Sequence, residues 1–315
     1  MEARVQMYRI NKQLEEENMV DTRLYSLIKI VETGSFTKAA EALSLSQPAV
    51  SQHIRQLEET LRVRIFDHAH NKLRLTPEGE IVVNYARRMV ALSGNMEQAL
   101  KNEREKIRSL TLGITHSAES SAIIEALAAY VNSLEGLNLK ILTNTSDNLY
   151  SMLKNDELDF AFVEGKRNDP AFRYMMLDTD CLVLAVPPGH KLARQSMVTI
   201  GQLKKERMIL RLPNSNTRNL FNASLESQNL SVDDFNVTME IDSIATIKEL
   251  VRRGFGVSVL ARSACMSELK KGKLVGLTIE NLSMVRETNI VCRKDYEHLD
   301  LLNGIVKKYN ELQGR

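Results

Sequence analysis

Residues 34–54 read GSFTKAAEALSLSQPAVSQHI, and this stretch decides the fold of the N-terminal part of the 315-residue chain. Its first half predicts a short helix in which Ala39 and Ala40 are adjacent, and such small side chains let a crossing helix approach closely. Ser44-Leu45-Ser46 predicts a turn whose last residue is a good N-cap for the next helix. Pro48 falls in the first turn of that helix, where a missing N–H is tolerated. We therefore expect two helices joined by a tight turn.

The second of these helices has two contrasting faces. Gln47, Ser51 and Arg55 form a polar line at i, i+4 and i+8, beside Pro48 and Gln52. Amides, hydroxyls and a guanidinium are the groups that contact base edges and phosphates when a helix enters the DNA major groove. A plain solvated face would look similar, but the preceding helix and turn favour DNA recognition. The opposite face is apolar and consists of Val50, Ile54, Leu57 and Leu61.

The flanking segments extend this unit to residues 21–76. An amphipathic helix precedes Gly34, with apolar residues at helical spacing from Leu24 to Val31. Strand-like segments 63–66 and 72–75 flank a polar tip and predict a hairpin wing with an excess of positive charge. The predicted DNA-binding residues of the unit are Thr37, Lys38, Ser46, Gln47, Pro48, Ser51, Gln52, Arg55, Arg64, Lys72 and Arg74.

A long helix is predicted over residues 77–106, because Thr76-Pro77-Glu78 combines an N-cap, a proline at the first helical position and an acid. Apolar residues recur along it at alternating spacings of three and four, which is typical of a helix that pairs with another helix. A helix lying on its own domain would show a similar pattern, but this one separates two globular regions. The predicted dimerisation residues are Val82, Tyr85, Met89, Leu92 and Met96.

Residues 109–315 alternate predicted strands and helices, which indicates a parallel sheet covered by helices. The pattern occurs in two similar halves, and this favours a two-lobed binding domain. The main predicted strands are 110–114, 139–142, 159–163, 181–186, 208–212, 236–240, 256–260 and 285–293. The main predicted helices are 117–134, 147–155, 217–228, 244–253, 263–271 and 299–313.

A ligand cleft is expected where strands end and helices begin, because helix N-termini there offer unpaired N–H groups. Hydroxyls, amides and one guanidinium occur at such places in both halves. Each hydroxyl alone would pass for an ordinary helix N-cap, and Arg218 for a surface residue; their convergence would suit a small anion or carboxylate. The predicted effector-binding residues are Thr115, His116, Ser117, Ser146, Asn214, Thr217, Arg218 and Ser243.

The chain resembles the LysR-type transcriptional regulators from residue 19 to its C-terminal end. The resemblance is carried by residues 34–40, 45–54 and 57–58, by Phe66, and by the sequence Leu-Thr-Pro-Glu-Gly at 75–79. Looser matches are 158–161, 186–190 and 254–257. The chain departs from the family pattern at His68, where an arginine is usual, and lacks prolines common in the family near Glu125, near Gly136 and at Ala261.

The resemblance implies a mixed α and α/β fold: a winged helix-turn-helix, a long linker helix and a two-lobed effector domain resembling periplasmic binding proteins. Lobe 1 would comprise about 109–180 and 286–315, and lobe 2 about 181–285. The implied partners are double-stranded promoter DNA, a small-molecule effector between the lobes, a second copy of the chain in a homodimer or homotetramer, and RNA polymerase.

Composition excludes several other classes. Hydrophobic residues make up 43% and charged residues 26%, which excludes a disordered or fibrous chain. Because Lys and Arg number 42 against 40 acids, bulk charge gives no argument for nucleic acid. No apolar stretch suits a signal peptide or a membrane span, so a cytoplasmic protein is expected, with residues 1–20 as an extension.

Catalytic, metal and redox functions have weak support in the sequence. His116 and Ser117 are adjacent, which suits no nucleophile and base, and His68 with His70 lacks further metal ligands. Three cysteines without close spacing could form a redox sensor, but buried packing is the expectation. No enzyme, cofactor or metal is therefore predicted. The alternative is a solute-binding or catalytic α/β protein with an unrelated helical module attached.

Overall fold

The computed structural model describes residues 19–67, 73–105, 108–119 and 121–314. The chain divides into two compact units at Arg108/Ser109, with the short piece Lys154–Glu157 grouped with the first. We call them the N-terminal domain and the C-terminal domain. None of the described helices has the length and apolar content that a bilayer crossing requires.

The N-terminal domain has the expected helices, each started by a side-chain N-cap. Asp21, Ser35 and Ser46 accept hydrogen bonds from backbone N–H groups at the starts of the first three helices. Gly34 ends the first helix with φ of 65°, a left-handed conformation that glycine adopts without strain. The elements are α1 (Thr22–Thr33), α2 (Phe36–Ala42), α3 (Gln47–Leu61), β1 (Phe66–Asp67), β2 (Arg74–Leu75) and α4 (Pro77–Glu105).

The wing is shorter than the predicted segments 63–66 and 72–75. Among the described residues of the wing, Phe66–Asp67 pairs with Arg74–Leu75 in antiparallel register, and 63–65 and 73 are not in a strand. The ladder starts late because Arg62 has a left-handed φ of 57° and because the N–H of Ile65 donates to the Glu58 carboxylate at 2.7 Å rather than to a strand. The tip, including His68, His70 and Lys72, lies outside the described residues.

The core of the N-terminal domain joins all three short helices to the wing and to the start of α4. Ala39 and Ala40 are buried, as expected where helices cross closely, and the rings of Phe36 and Phe66 meet edge-on at 5.7 Å. The buried apolar residues of this core are Leu24, Leu27, Ile30, Val50, Ile54, Leu57, Ile65, Val83 and Ala86.

The C-terminal domain alternates strands and helices. Two short 3-10 helices, Lys191–Arg194 and Val232–Asp234, complete it. Its first half consists of β3 (Arg108–Thr115), α5 (Ser121–Asn132), β4 (Leu137–Asn144), α6 (Ser146–Lys154), β5 (Phe160–Glu164) and β6 (Phe172–Val186). Its second half consists of β7 (Met197–Val198), α7 (Ile200–Leu203), β8 (Met208–Arg211), α8 (Asn216–Glu226), β9 (Val237–Ile241), α9 (Ile244–Arg252), β10 (Ser258–Ala261), α10 (Arg262–Lys270), β11 (Val275–Ile279), β12 (Val285–Arg293) and α11 (Leu299–Gln313).

The sheet is mixed, which corrects the expectation of a parallel sheet. The main sheet has the order β4-β3-β5-β12-β6-β11-β7, with β10 paired to β6, while β8 and β9 form a parallel pair. β3 and β5 are parallel, but β12 is antiparallel to both β5 and β6. The antiparallel strands are those that connect the two lobes, since the chain leaves lobe 1 along β6 and returns along β12.

The strand β6 is much longer than the predicted 181–186. Its first part pairs with β12, from Phe172 to Cys181, and its last part pairs with β10 and β11. The polar run Asp178-Thr179-Asp180 interrupts the strand between the buried Leu177 and the buried run that starts at Leu182, and for this reason the sequence predicted only the last part of β6. A β-bulge interrupts the β6–β12 ladder at Thr288/Asn289.

Two apolar clusters define the two lobes. In lobe 1, Phe160 and Phe162 of β5 are buried among β3, α5 and α11. In lobe 2, Leu184, Leu210 and Phe221 are buried among β6, β8 and α8. The helix predicted at 117–134 begins at Ser121 instead, because a turn at residues 116–118 follows β3. This turn and the ends of β4 and β8 face one cleft between the lobes.

Candidate DNA-reading helix and effector cleft

The polar face of α3 is open to solvent. Gln47, Pro48, Gln52 and Arg55 are exposed, and Ser51 is half-buried, with its hydroxyl accepting from Gln47 Nε2 at 3.0 Å. On the apolar face of the same helix, Val50, Ile54 and Leu57 are buried in the core, whereas Leu61 at the helix end is 46% exposed, contrary to the expectation. At the helix start, the Ser46 hydroxyl accepts from Ala49 N–H at 3.3 Å and so caps the helix.

The remaining predicted DNA contacts are also exposed. Thr37 and Lys38 lie at the start of α2, Arg64 precedes the wing, and Arg74 lies on β2. Among the described residues, no ion pair involves Arg55, Arg64 or Arg74, so these cations are available to phosphates. Lys72 lies outside the described residues.

The wing is anchored to α3 and α4 through backbone groups. The Thr76 side chain donates to the Arg64 carbonyl, and the Thr76 N–H donates to the Ile65 carbonyl at 3.0 Å. Gly79 lies so close to Ile65 that a Cβ there would be 2.1 Å from its carbonyl oxygen. The motif at 75–79 therefore fixes the position of Arg64 relative to α3.

One side of α4 is apolar and exposed. Tyr85 and Met89 are 58% and 53% exposed, and Leu92 and Met96 lie on the same side. Val82 differs from the other four predicted dimerisation residues, because it packs against the core of its own domain. Ile81 and Leu100 are further exposed members of this surface that the sequence analysis did not select.

A cleft between the lobes brings together five of the eight predicted effector-binding residues. It is an open cavity of about 80 Å³, formed where β3, β4 and β8 end. The predicted residues that line it are Thr115, His116, Ser117, Ser146 and Asn214. The other lining residues are Asn144, Thr145, Arg211, Leu212, Ser215, Asn216 and Asp242.

Direct hydrogen bonds join the lobes at the back of this cleft. The hydroxyls of Ser117 and Thr217 lie 3.1 Å apart. Asn216 Nδ2 donates to Ser146 Oγ and to Glu164 Oε2, each at 2.7 Å. The start of α8 is therefore tied to the ends of β3 and β5 and to the start of α6, and Thr217 lies behind the cleft wall.

Arg218 and Ser243 lie elsewhere. The Arg218 guanidinium pairs with Glu240 at 3.0 Å and donates to the Arg211 carbonyl at 3.2 Å, so it does not line the cleft. This corrects the expectation of an effector contact, since an arginine in the first turn of α8 points back along the sheet edge. Ser243 caps α9 by accepting from Thr246 N–H at 3.3 Å and lines a neighbouring cavity.

Arg211 is the main charged group of the cleft and was missed by the sequence analysis. It is 3% exposed, and its Nη2 donates to Asp242 Oδ1 at 3.0 Å. Its Nε and Nη1 are buried without a hydrogen-bond partner among the described residues. Burial lowers the pKa of Arg211, against the opposing effect of Asp242. A charged residue directly after the apolar strand 208–210 was the signal available in the sequence.

A second buried arginine lies between the lobes, on β12. Arg286 is 6% exposed and lies 3.5 Å from Glu164 and 3.6 Å from Asp180. Glu164 also accepts from the Thr115 hydroxyl at 2.8 Å. Arg286 therefore lies between two carboxylates, and together these groups form the floor behind the cleft.

A larger open cavity of about 640 Å³ adjoins the cleft and shares His116, Arg211 and Asp242 with it. The further lining residues of this cavity are Glu119, Ile124, Ser243, Ile244, Ala245, Lys248 and Ala264. Arg211 therefore stands at the junction of a small polar cavity and a larger one with an apolar floor.

The cysteines lack the environment of a redox sensor. Burial raises the pKa of Cys181, Cys265 and Cys292, and for Cys265 to about 12. A reactive thiol requires the opposite shift. Within the ranges that the structure describes, no cluster of three or more histidines, cysteines and acids could hold a metal ion. The pair His68 and His70 lies outside those ranges.

Comparisons with known proteins agree on one family. The family model "LysR substrate binding domain" matches residues 103–306, and "Bacterial regulatory helix-turn-helix protein, lysR family" matches residues 22–80. The chain is 26% identical over 273 residues to a probable RuBisCO transcriptional regulator of Cyanidium caldarium, covering 85% of this chain and 86% of the relative. It is 29% identical over 279 residues to the HTH-type transcriptional regulator CysL of Bacillus subtilis, covering 85% and 89%.

Solved structures share the fold. CbnR, described as a LysR family transcriptional regulator, gives a TM-score of 0.66 at 16% identity, covering 93% of this chain and 99% of that one. A full-length OxyR variant of Pseudomonas aeruginosa gives 0.61 at 20% identity, covering 93% and 95%. Because two family models span most of the chain, it belongs to the LysR family of transcriptional regulators, with an N-terminal helix-turn-helix for DNA and a C-terminal effector-binding domain.

Proposed function

We propose that the exposed polar face of α3 reads promoter DNA while the wing contacts phosphates, and that a small anionic effector in the inter-lobe cleft controls this binding. The observation that carries the DNA part is the contrast within α3. Val50, Ile54 and Leu57 are buried on one face. On the other face Gln47, Gln52 and Arg55 are exposed, and Arg55 forms no ion pair among the described residues. A stable, exposed polar face next to a cationic wing is what a helix needs in the major groove.

The unit that reads DNA would comprise residues 21–76 and the linker 77–106, with the effector domain at 109–315. The exposed apolar side of α4 supports self-association as a homodimer or homotetramer, because contiguous apolar surface of this kind marks an interface. Two recognition helices would then read two half-sites. We place RNA polymerase among the partners from the family resemblance alone. We place the protein in the cytoplasm from the sequence analysis and from the promoter DNA that it would bind.

Two features of the cleft support an anionic effector such as a carboxylate. Arg211 is buried and has two nitrogens without a partner among the described residues, so an acceptor brought by a ligand would satisfy donors that are otherwise lost. Asn214 and Ser215 at the start of α8 add polar groups near a helix N-terminus, where anions are favoured.

Footprinting on DNA upstream of the chain's own gene tests this function, with and without candidate carboxylates. Arg55→Ala should weaken specific binding by about 1–3 kcal/mol and relax sequence preference, whereas Arg64→Ala should weaken all sequences alike and reduce the salt slope by about 1. Arg253→Ala, an exposed arginine of the C-terminal domain, is the matched control and should change neither quantity. Specific protection under no condition, or unchanged affinity in both test variants, would contradict the proposal.

A further inference from the structure

The two adjoining cavities form one binding space with distinct chemistry at each end. The small cavity is lined by hydroxyls and amides, whereas the large one has an apolar floor of Ile124, Ile244, Ala245 and Ala264. Arg211 and Asp242 line both cavities. A ligand that places a polar end at the junction can therefore extend an apolar group over that floor.

The lining of this space carries two positive and two negative side chains, so a ligand that carries both signs can be met on both. The positive groups on its lining are Arg211 and Lys248, and the negative groups are Glu119 and Asp242. Lys248 is already engaged, since its Nζ lies 2.8 Å from Glu268 and donates to the Ala264 carbonyl at 2.9 Å. A simple anion at Arg211 would lie beside the Asp242 carboxylate, which is 3.0 Å from Arg211, in a cavity that Glu119 also lines.

The junction of the two cavities has one positive and one negative side chain in contact with each other. Arg211 Nη2 and Asp242 Oδ1 are 3.0 Å apart, and Arg211 keeps two nitrogens without a partner among the described residues. Asp242 is 58% exposed, so its carboxylate can accept from a ligand as well. An α-amino acid carries its carboxylate and its ammonium on one carbon, and this spacing matches two receptors in contact.

We propose that the effector is a zwitterion, an α-amino acid with an apolar side chain, whose carboxylate binds Arg211, whose ammonium binds Asp242 and whose side chain covers the floor at Ile244 and Ala245. The inference rests on the proposed function, because it names the ligand class of the same cleft. It keeps the carboxylate of the effector proposed above and adds an ammonium for the exposed Asp242 carboxylate. Arg211 and Asp242 are thereby the residues that determine specificity.

The test is a thermal-shift and calorimetry series on the full chain. The standard L-amino acids are first screened at millimolar concentration, with sodium sulfate and acetate as simple anions. We expect at least one apolar amino acid to bind saturably. That amino acid is then compared with its amide, which lacks the carboxylate, and with the corresponding acid that lacks the amino group.

Two variants assign the contacts. Each charged contact should be worth roughly 10- to 100-fold in affinity. Arg211→Gln should lower the affinity for the amino acid by that factor and abolish its advantage over the amide. Asp242→Asn should abolish its advantage over the deaminated acid, and because Asp242 is largely exposed this variant should fold normally. Arg293→Gln and Asp295→Asn, from an exposed ion pair outside the cleft, are the matched controls and should bind like the parent.

The outcomes separate the inference from the function on which it rests. If no amino acid binds, or if acetate or the deaminated acid binds as tightly as the amino acid, the zwitterion is refuted. If simple anions bind instead, and if Arg211→Gln abolishes that binding, the anionic effector of the proposed function is supported although the zwitterion is not. Sequence-specific DNA binding, measured in the same preparation, reports independently on the regulator function.

Discussion

An alanine at Gly79 should destabilise the N-terminal domain, although alanine is the better helix former. Gly79 lies in the first turn of α4, and a Cβ there would be 2.1 Å from the Ile65 carbonyl oxygen, whereas real Cβ atoms essentially never come within 3.0 Å of a neighbour. The Ile65 backbone is not free to retreat. Its N–H donates to Glu58 at 2.7 Å, its carbonyl accepts from Thr76 N–H at 3.0 Å, and its side chain is fully buried.

The magnitude follows from three contributions. Forcing extra volume into a packed site costs about 1–3 kcal/mol. Losing the Thr76–Ile65 hydrogen bond adds about 1 kcal/mol. Replacing glycine by alanine in a helix stabilises the folded state by about 1 kcal/mol, which offsets part of this cost. The net destabilisation should be about 2 kcal/mol, and for a domain of this size each kcal/mol lowers the melting temperature by roughly 4–8 °C.

Gly94 supplies the matched control within the same helix. An added Cβ there meets nothing within 4 Å, so Gly94→Ala should raise stability by about 0.5–1 kcal/mol. Differential scanning calorimetry should show opposite shifts of the N-terminal transition for the two variants, and Gly79→Ala should also weaken DNA binding because Arg64 is displaced. Equal shifts, or a more stable Gly79→Ala, would refute the steric reasoning.

Three further predictions concern the C-terminal domain and the linker helix. Glu164→Ala should destabilise the C-terminal domain by about 3 kcal/mol, because it removes a carboxylate from the buried Arg286. The control Glu226→Ala, at an exposed position, should change stability by less than about 0.5 kcal/mol. Urea unfolding measures both variants, and similar values for the two would contradict the pairing of Glu164 with Arg286. Cys265 should resist alkylation at pH 8 in the folded protein and react in denaturant, since burial raises its pKa to about 12 and keeps the thiol protonated; rapid native labelling detected by mass spectrometry would overturn this. Met89→Asp should shift the chain toward the monomer in size-exclusion chromatography with light scattering, while Glu97→Asp, also exposed on α4, should not; an unchanged mass would argue against association through this side of the helix.

The parts of the fold that the sequence predicted well are those in which local and tertiary demands agree. The helices of the N-terminal domain have clear N-caps and apolar faces, so periodicity locates them. The first part of β6 was not predicted, because its two buried apolar residues, Phe172 and Leu177, are separated by exposed and half-buried residues without a regular alternation. The first wing strand was predicted to begin too early, because the Ile65 N–H donates to the Glu58 carboxylate rather than to a neighbouring strand.

The residues of the candidate cleft were likewise predicted only in part. Hydroxyls at helix starts were found because strand ends and helix N-termini are recognisable in sequence. Arg211 and Glu164 were missed, because a single charge after an apolar strand does not reveal which partner lies across the cleft. Arg218 was misplaced for the same reason, since its partner Glu240 comes from a neighbouring strand.

The continuous strands β6 and β12 limit how the lobes can move. Because β6 passes from lobe 1, where it is hydrogen-bonded to β12, into lobe 2, where it is hydrogen-bonded to β10 and β11, the lobes cannot slide apart without breaking one of these ladders. The motion of one lobe relative to the other that we expect to cost least is a twist about these strands. The bulge at Thr288/Asn289 interrupts the regular ladder and increases its local twist. We therefore expect the lobes to close on a ligand by twisting about the connecting strands. At the far ends of the lobes this motion would be a rotation rather than a translation.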